Sequence, residues 1–285
     1  MATFNVLHGR ALGGGPAPLE RLVEACASLD ADVLCLQEID RGQPRSAGVD
    51  QTAAVAAGMG AAAWRFQPAL VGEPGGRWRA ATESDGDCES GEPGYGVGLV
   101  SRLPVDRWHV RFLAAAPVRS PVVVPRPGRP GVILLPDEPR VVLAADLTGL
   151  RGPNAATGLR GPNAATGLRG PNAATGLRVA TTHLSFVPGF NLVQLRRATR
   201  WLASLEGTEG CVLLGDLNAP GPLPRLASGW RPLVRARTFP ADRPRFQVDH
   251  VLAEGQTPPV AATTTCRLPL SDHVAVVVDL TVIES

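Results

Sequence analysis

Cys211-Val212-Leu213-Leu214-Gly215-Asp216-Leu217-Asn218 is the stretch that decides how the rest of the chain is read. Four apolar residues run into a glycine, then into an aspartate and an asparagine one residue apart. The apolar run reads as a buried strand. Residues i and i+2 of a strand share a face, so Asp216 and Asn218 project together where strand geometry continues past Gly215. A carboxylate beside an amide at a strand end can hold an oxyanion, a water or a hard cation. Which of these it holds depends on the partners that other segments supply.

Working outward, the chain alternates apolar strand-like runs with helical spacing. Ala2 to Leu7 reads as a first strand, and Leu19 to Leu29 as a helix with an apolar stripe. Asp32 to Glu38 is a buried strand ending in Gln37-Glu38, so a βαβ unit opens the chain. Asp50 to Met59 reads as a second helix, and Ala62 to Leu70 and Tyr95 to Ser101 as strands separated by an exposed loop over Val71 to Gly94. Trp108 to Leu113 is another strand, and Pro117 to Pro139 a Pro/Arg-rich irregular segment. Strands follow at Arg140 to Leu147 and Leu177 to Leu184, and a helix at Phe190 to Leu205. Beyond the opening strand, Gly221 to Arg245 reads as irregular, followed by strands at Phe246 to Leu252, Val260 to Cys266 and His273 to Ile283.

Leu-Arg-Gly-Pro-Asn-Ala-Ala-Thr-Gly occurs three times in tandem, at Leu150–Gly158, Leu159–Gly167 and Leu168–Gly176. The unit is too short for a helical repeat. Removing the copies joins two strand-like flanks through Thr148-Gly149, which suits a tight hairpin. The repeat therefore reads as a duplication that lengthens a hairpin loop at about 149–177, within a single domain spanning residues 1–285.

At 285 residues, 44% hydrophobic and 19% charged, the chain can bury a sizeable core and fits a globular protein rather than a disordered one. The net charge of +2 neither demands nor excludes a nucleic-acid partner. All the side-chain positive charge of Lys/Arg type is arginine. Five scattered cysteines show no zinc or redox spacing. No apolar run reaches membrane-spanning length, and a strand directly after Met1 leads to the expectation of no signal peptide. The expectation is a cytoplasmic monomer, with secretion as the alternative if the true start lies upstream.

Polar residues recur where apolar strands end: Asn5, Gln37-Glu38, Thr182-His183, Asp216 and Asn218, Asp249-His250 and Ser271-Asp272-His273. Singly, each has a structural reading: a turn cap, a solvated strand end, a hydrogen-bonded core histidine. Together they supply the acceptors, amides and imidazoles that a hard-cation phosphoester site needs.

The order and wording of these motifs resemble the endonuclease/exonuclease/phosphatase superfamily, the DNase I-like fold. The matching residues are Thr3-Phe4-Asn5, Leu36-Gln37-Glu38, Tyr95 to Arg102, Thr182-His183-Leu184, Gly215 to Asn218, Val248 to Leu252 and Ser271-Asp272-His273. The resemblance implies an α/β four-layer sandwich: two packed mixed β-sheets flanked by helices, with the site at one rim. It implies Mg²⁺ (or Mn²⁺) held by Glu38, with Asn5 and Asp272 beside it. His273 corresponds to a general base or phosphate contact, Asp249 to its carboxylate partner, and Asp216 and Asn218 to the pair that positions water and phosphate. His183 corresponds to a second histidine facing a phosphate oxygen or the leaving group. In the DNase I-like branch a glutamate partners that histidine; Glu73, Glu83, Glu89 and Glu92 are the loop candidates. Thr182-His183-Leu184 stands where abasic-site endonucleases carry an asparagine motif, which argues against abasic-site repair.

The implied activity is Mg²⁺-dependent hydrolysis of a phosphoester, a phosphodiester in the first instance, by in-line attack of water. The substrate is a nucleic acid, a phospholipid or a small molecule. Arginines between Arg102 and Arg129 and between Arg225 and Arg245 could line a nucleic-acid groove. Phe186 to Phe190 is the one apolar hairpin candidate for a lipid surface, and it reads better as packing at a helix start. Alternatives are a phosphomonoesterase acting on inositol phosphates or other small molecules, and a catalytically inactive binding module of the same fold.

Overall fold

The computed structural model describes residues 1–11, 15–87, 91–124, 131–148 and 176–281. The repeat-bearing loop at 149–175 lies outside the described residues. Its flanks do not: strand β9 (Arg140–Leu147) pairs antiparallel with β10 (Leu177–His183), with Leu147 opposite Leu177.

Two mixed sheets form the body. In the first the order is β14 (Val260–Cys266), β15 (Ala275–Leu280), β1 (Ala2–Asn5), β2 (Val33–Arg41), β5 (Gly94–Ser101), β3 (Ala63–Gly72) and β4 (Trp78–Ala80). In the second it is β12 (Arg231–Pro232), β13 (Asp249–Gly255), β11 (Gly210–Asp216), β10, β9 and β6 (Val105–Leu113). The period-two alternation of apolar residues explains the layering. Val33 and Cys35 face the second sheet, while Leu34 and Leu36 face helices α1 (Leu19–Ala27) and α2 (Gln51–Met59). In the second sheet Val212 and Leu214 face inward, while Cys211 and Leu213 pack under α3 (Phe190–Ser204) with Leu195, Ala198 and Leu202. A short helix, α4 (Leu223–Ser228), lies on the same side and contacts α3. The result is helix, sheet, sheet, helix, as the DNase I-like expectation required.

Several expectations change at the edges of these elements. The first strand stops at Asn5, because Leu7 and His8 adopt positive φ in a 3-10 turn over Leu7–Gly9. The segment Val71 to Gly94 is not all loop: β4 pairs with β3, and a capping box on Thr82 and Asp85 closes a 3-10 turn. Pro117 to Pro139 contains a separate hairpin, β7 (Arg119–Val124) on β8 (Gly131–Pro136), whose β-branched content outweighs its prolines. Gly221 to Arg245 contains α4 and β12. Strand β13 begins at Asp249, not Phe246, because Phe246 bridges back to Phe239 instead.

Candidate active site

Topology alone gathers the polar strand ends. β1 runs parallel to β2, with Asn5 opposite Gln37, and β10 runs parallel to β11, with His183 opposite Asp216. Parallel pairing puts their C-terminal ends on one rim. Antiparallel neighbours add their starts: Asp249 opens β13 opposite Asp216, and Arg140 opens β9 beside the end of β10.

Side-chain hydrogen bonds then lock the two sheets together at this rim. Thr3 Oγ1 donates to Gln37 Oε1 (3.2 Å) and Gln37 Nε2 donates to Thr181 Oγ1 (2.9 Å). One amide bridges two carboxylates: Asn5 Nδ2 lies 3.0 Å from Glu38 Oε1 and 3.0 Å from Asp216 Oδ2.

The backbone is bent to aim the functional groups. Glu38 has φ 53° at a bulge where the register with β5 shifts between Gln37 and Ile39, which turns its carboxylate from the strand face to the rim. Asn218 has φ 48° and Ser271 φ 69°. Such conformations cost on the order of 1–3 kcal/mol each and persist where neighbours over-determine them. Here Ser271 Oγ donates to Asn5 O (2.6 Å) and accepts from His273 N (3.1 Å). Asp216 and Asn218 do converge, but not by continued strand geometry. The strand ends at Asp216, and Asn218 N turns back to donate to Asp216 Oδ1 (2.9 Å).

Asp216 sits at the centre, 2% exposed. Its Oδ2 lies 3.6 Å from His183 Nε2 and 3.6 Å from His273 Nε2. His273 Nδ1 meets Asp249 Oδ2 at 2.9 Å, and the Phe239 ring covers the imidazole with centroids 4.9 Å apart. Burial opposes the imidazolium, but Asp249 and Asp216 outweigh it and push the His273 pKa up to about 10. Burial, with the Asp249 charge adding to it against the pull of His273, raises Asp216 to about 7. Burial, then the charges of Arg140 and His273, hold His183 well below its ordinary value, so this ring is neutral.

None of the described loop glutamates reaches His183; Glu38 Oε1 lies 4.0 Å from its Nε2, and the Nδ1 side is left to another partner. Arg140 Nη1 stands 3.4 Å from His183 Nδ1. Glu92 pairs with Arg79, Glu83 is exposed, and Glu89 lies outside the described residues. Asn218 Nδ2 donates to Leu184 O (2.9 Å) and lies 3.1 Å from His183 Nε2. Of the other polar residues at strand ends, His250 turns away to Ala219 O (2.8 Å).

Glu38, His183, Asp216, Asn218 and His273 line one cavity of about 500 Å³. Asn5 and Asp249 are buried behind it, and Asp272 lies beside His273, 4.0 Å from Nε2. The remaining walls include Arg140, Glu138, Trp78, Tyr95, Phe186 and Phe239. Sequence reading missed Arg140 and the aromatic walls. Arg140 carried the same signature as the others, a polar residue at the end of an apolar strand run, but at the strand's start.

The donor set suits a hard divalent cation. Four carboxylates (Glu38, Asp216, Asp249, Asp272) converge with two imidazoles, and Asp216, Asp249 and His273 bring ligand atoms within 4.8 Å of one another. Asp249 Oδ1 and Asp272 Oδ1 are buried without a hydrogen-bond partner, which is unusual for carboxylate oxygens and is relieved by a cation. Asn5 presents its N–H₂ to the carboxylates and commits Oδ1 to Leu7 N (3.1 Å), so its carbonyl can join such a set only after a half-turn of the amide.

Residues 2–273 match the Endonuclease/Exonuclease/phosphatase family, and the chain belongs to that family. Among solved structures it is similar to an endonuclease/exonuclease/phosphatase from Beutenbergia cavernae (21% identity, TM-score 0.59, covering 99% of this chain and 70% of that one). It is also similar to a mannosyl-6-phosphatase from Bacteroides thetaiotaomicron (13% identity, TM-score 0.53, 98% of each chain). A third is D. rerio TDP2 complexed with single strand DNA product (14% identity, TM-score 0.52, 96% and 95%). At these identities the likeness establishes the fold. No curated protein matches the sequence. No helix among the described residues is long and apolar enough to cross a membrane.

Proposed function

We propose that the chain, acting as one domain, is a Mg²⁺-dependent phosphodiesterase that hydrolyses its substrate by in-line attack of water. The observation that carries this reading is the Asp216 carboxylate flanked by two imidazole Nε2 atoms at 3.6 Å each, on the wall of an open cavity.

Glu38 and Asp272 would hold the cation, with Asn5 beside them. When bound, it neutralises charge on the phosphate oxygens and helps orient the ester. The chain's own groups account for the proton movements. Asp216, raised to about 7, is matched to accept a proton from the attacking water near neutral pH. Asn218 holds Asp216 Oδ1 through its backbone N–H and so fixes which oxygen faces the water. His273, charged and oriented by Asp249, is suited to hydrogen-bond a phosphate oxygen as negative charge builds. His183, neutral, offers a ring N–H on the opposite side of Asp216, where a phosphate or leaving-group oxygen would sit. Positioning and charge neutralisation lower the barrier, with no covalent enzyme intermediate.

The test compares hydrolysis of bis-(p-nitrophenyl) phosphate and p-nitrophenyl phosphate, with Mg²⁺ and with EDTA. The expected result is Mg²⁺-dependent turnover that favours the diester and is lost in Glu38→Ala. No Mg²⁺-dependent turnover of either compound, with no effect of Glu38→Ala, would sink the reading.

A further inference from the structure

A second cavity, of about 430 Å³, adjoins the catalytic one and shares Phe239 with it. Its walls are Phe239, Pro240, Asp242, Arg243, Arg245 and Phe246. All belong to the segment 233–248 between β12 and β13, which carries Arg235, Arg237, Arg243 and Arg245 against the single carboxylate of Asp242. That is a net charge of +3 in a chain whose total is +2. The four arginines are exposed, and none makes an ion pair or side-chain hydrogen bond with a described residue. Twenty guanidinium donors, about five per arginine, are thus left to solvent on one short segment.

The segment is held rigidly against the catalytic end. Phe246 N donates to Phe239 O (2.9 Å), Thr238 N donates to Phe246 O (2.7 Å) and Arg245 N donates to Phe239 O (2.9 Å). Thr238 Oγ1 accepts from the backbone N–H of Val248 and of Asp249, each at 3.2 Å. Ala241 N donates to Asp272 O (2.7 Å) and Val274 N to Thr238 O (2.8 Å). The backbone that carries the arginines is therefore fixed relative to Asp249, Asp272 and His273. Phe246, 54% exposed, presents a ring beside them, and Phe239 lies between this cavity and His273.

Arginines interleaved with aromatic rings around a concavity suit a polyanion carrying planar groups. A membrane-facing arm would present a broad apolar face; Phe246 is the one large hydrophobic side chain of this segment that is exposed. We propose that the segment 233–248 is a strand-tracking arm for single-stranded nucleic acid. Arg243 and Arg245 hold its backbone phosphates, Phe246 stacks a base, and the adjoining phosphodiester enters the catalytic cavity. This deepens the phosphodiesterase reading and rests on it for the cleavage step, while the binding it predicts stands apart from turnover.

The experiment measures binding of fluorescein-labelled oligo-dT by anisotropy in EDTA, across a salt series, with wild type, R243Q/R245Q and F246A. Wild type should bind with an affinity that falls steeply with salt. R243Q/R245Q should weaken binding about tenfold or more and lower the slope of log K against log salt by about 1.4, at ~0.7 per lost phosphate contact. F246A should weaken binding about tenfold with the slope unchanged. Equal affinity and slope for R243Q/R245Q and wild type overturns the proposal. So does wild type binding phosphatidylserine/phosphatidylcholine vesicles but not the oligonucleotide. Binding that behaves as expected, in a protein that does not hydrolyse bis-(p-nitrophenyl) phosphate, upholds the arm and overturns the activity instead.

Discussion

Asp216 Oδ2 lies 3.6 Å from His273 Nε2, and Asp249 closes the far side of the same imidazole at 2.9 Å. The ring is thus held between two buried carboxylates, one on the cavity wall and one behind it. Buried charges are tolerated only when paired, and the two carboxylates together keep the imidazole charged.

Replacing the wall carboxylate should separate chemistry from binding. Asp216→Asn keeps the shape and the contact to Asn5 but removes the proton acceptor. It should lower kcat by about 10² to 10⁴-fold with little change in KM. Asp249→Asn should also lower kcat, by about 10²-fold, and should bring the His273 pKa down from about 10, seen by NMR titration of the ring. A ring pKa that stays put in Asp249→Asn would contradict the pairing described.

The metal-free protein should lose stability as pH rises. His273 is raised from 6.5 to about 10 in the folded state, so the imidazolium's contribution is complete below pH 6.5 and disappears as pH climbs through about 10. Between pH 7 and 9 the difference in unfolding free energy between wild type and His273→Gln should shrink, with a slope of at most about 1.4 kcal/mol per pH unit. Urea titrations in EDTA measure it, and a difference that grows with pH contradicts the assignment.

Added Mg²⁺ should stabilise more at high pH. Asp216 is raised to about 7 without metal, so below that value its proton removes a negative charge beside the cation site and weakens cation binding. The stabilisation on adding Mg²⁺, read as a rise in Tm, should be larger at pH 8 than at pH 5.5, reaching about 2.7 kcal/mol at a hundredfold excess over Kd. Glu38→Ala should abolish it at both.

Gly215 is required by space as well as conformation. Its φ is 150°, and a Cβ there would meet Thr182 O at 2.0 Å, a backbone atom paired across the β10–β11 ladder. Gly215→Ala should destabilise by about 3 kcal/mol or more and disturb both His183 and Asp216. Thermal melts and activity report the two effects.

Removing the repeat should leave the fold intact. Leu147 and Leu177 already face each other, so deleting Leu150–Gly176 joins them through Thr148-Gly149. Each halving of a loop is worth about 0.6 kcal/mol, so stability should rise by about 2 kcal/mol or stay level. A large loss, read by urea denaturation, would mean that the repeat packs on the body.

Arg140 should control His183. Arg140→Gln removes the cation 3.4 Å from Nδ1, and the ring pKa should move up toward 6.5. Unchanged ring protons across an NMR titration would count against this.

Much of the fold was legible because apolar alternation has a period that survives any tertiary context. Val33 to Leu36 and Cys211 to Leu214 read as strands and are strands, and the polar residues that end them are those that meet. The hairpin over Arg119–Pro136 was hidden by its prolines, and α4 by its flanking glycines and arginines. The loop glutamates expected against His183 do not reach it, whereas antiparallel pairing brings the first residue of β9 to that ring.

The amino-acid sequence by itself determined the central strands, their polar ends and the family, because these depend on local periodicity and on residue types in order. The tertiary structure alone decided which oxygen of Asp216 faces both imidazoles, that Arg140 stands against His183 Nδ1, and that the basic segment 233–248 sits beside the cavity lined by Asp216. Those facts depend on sheet pairing and on left-handed residues such as Glu38 and Asn218, whose conformations are imposed by neighbours distant in the chain.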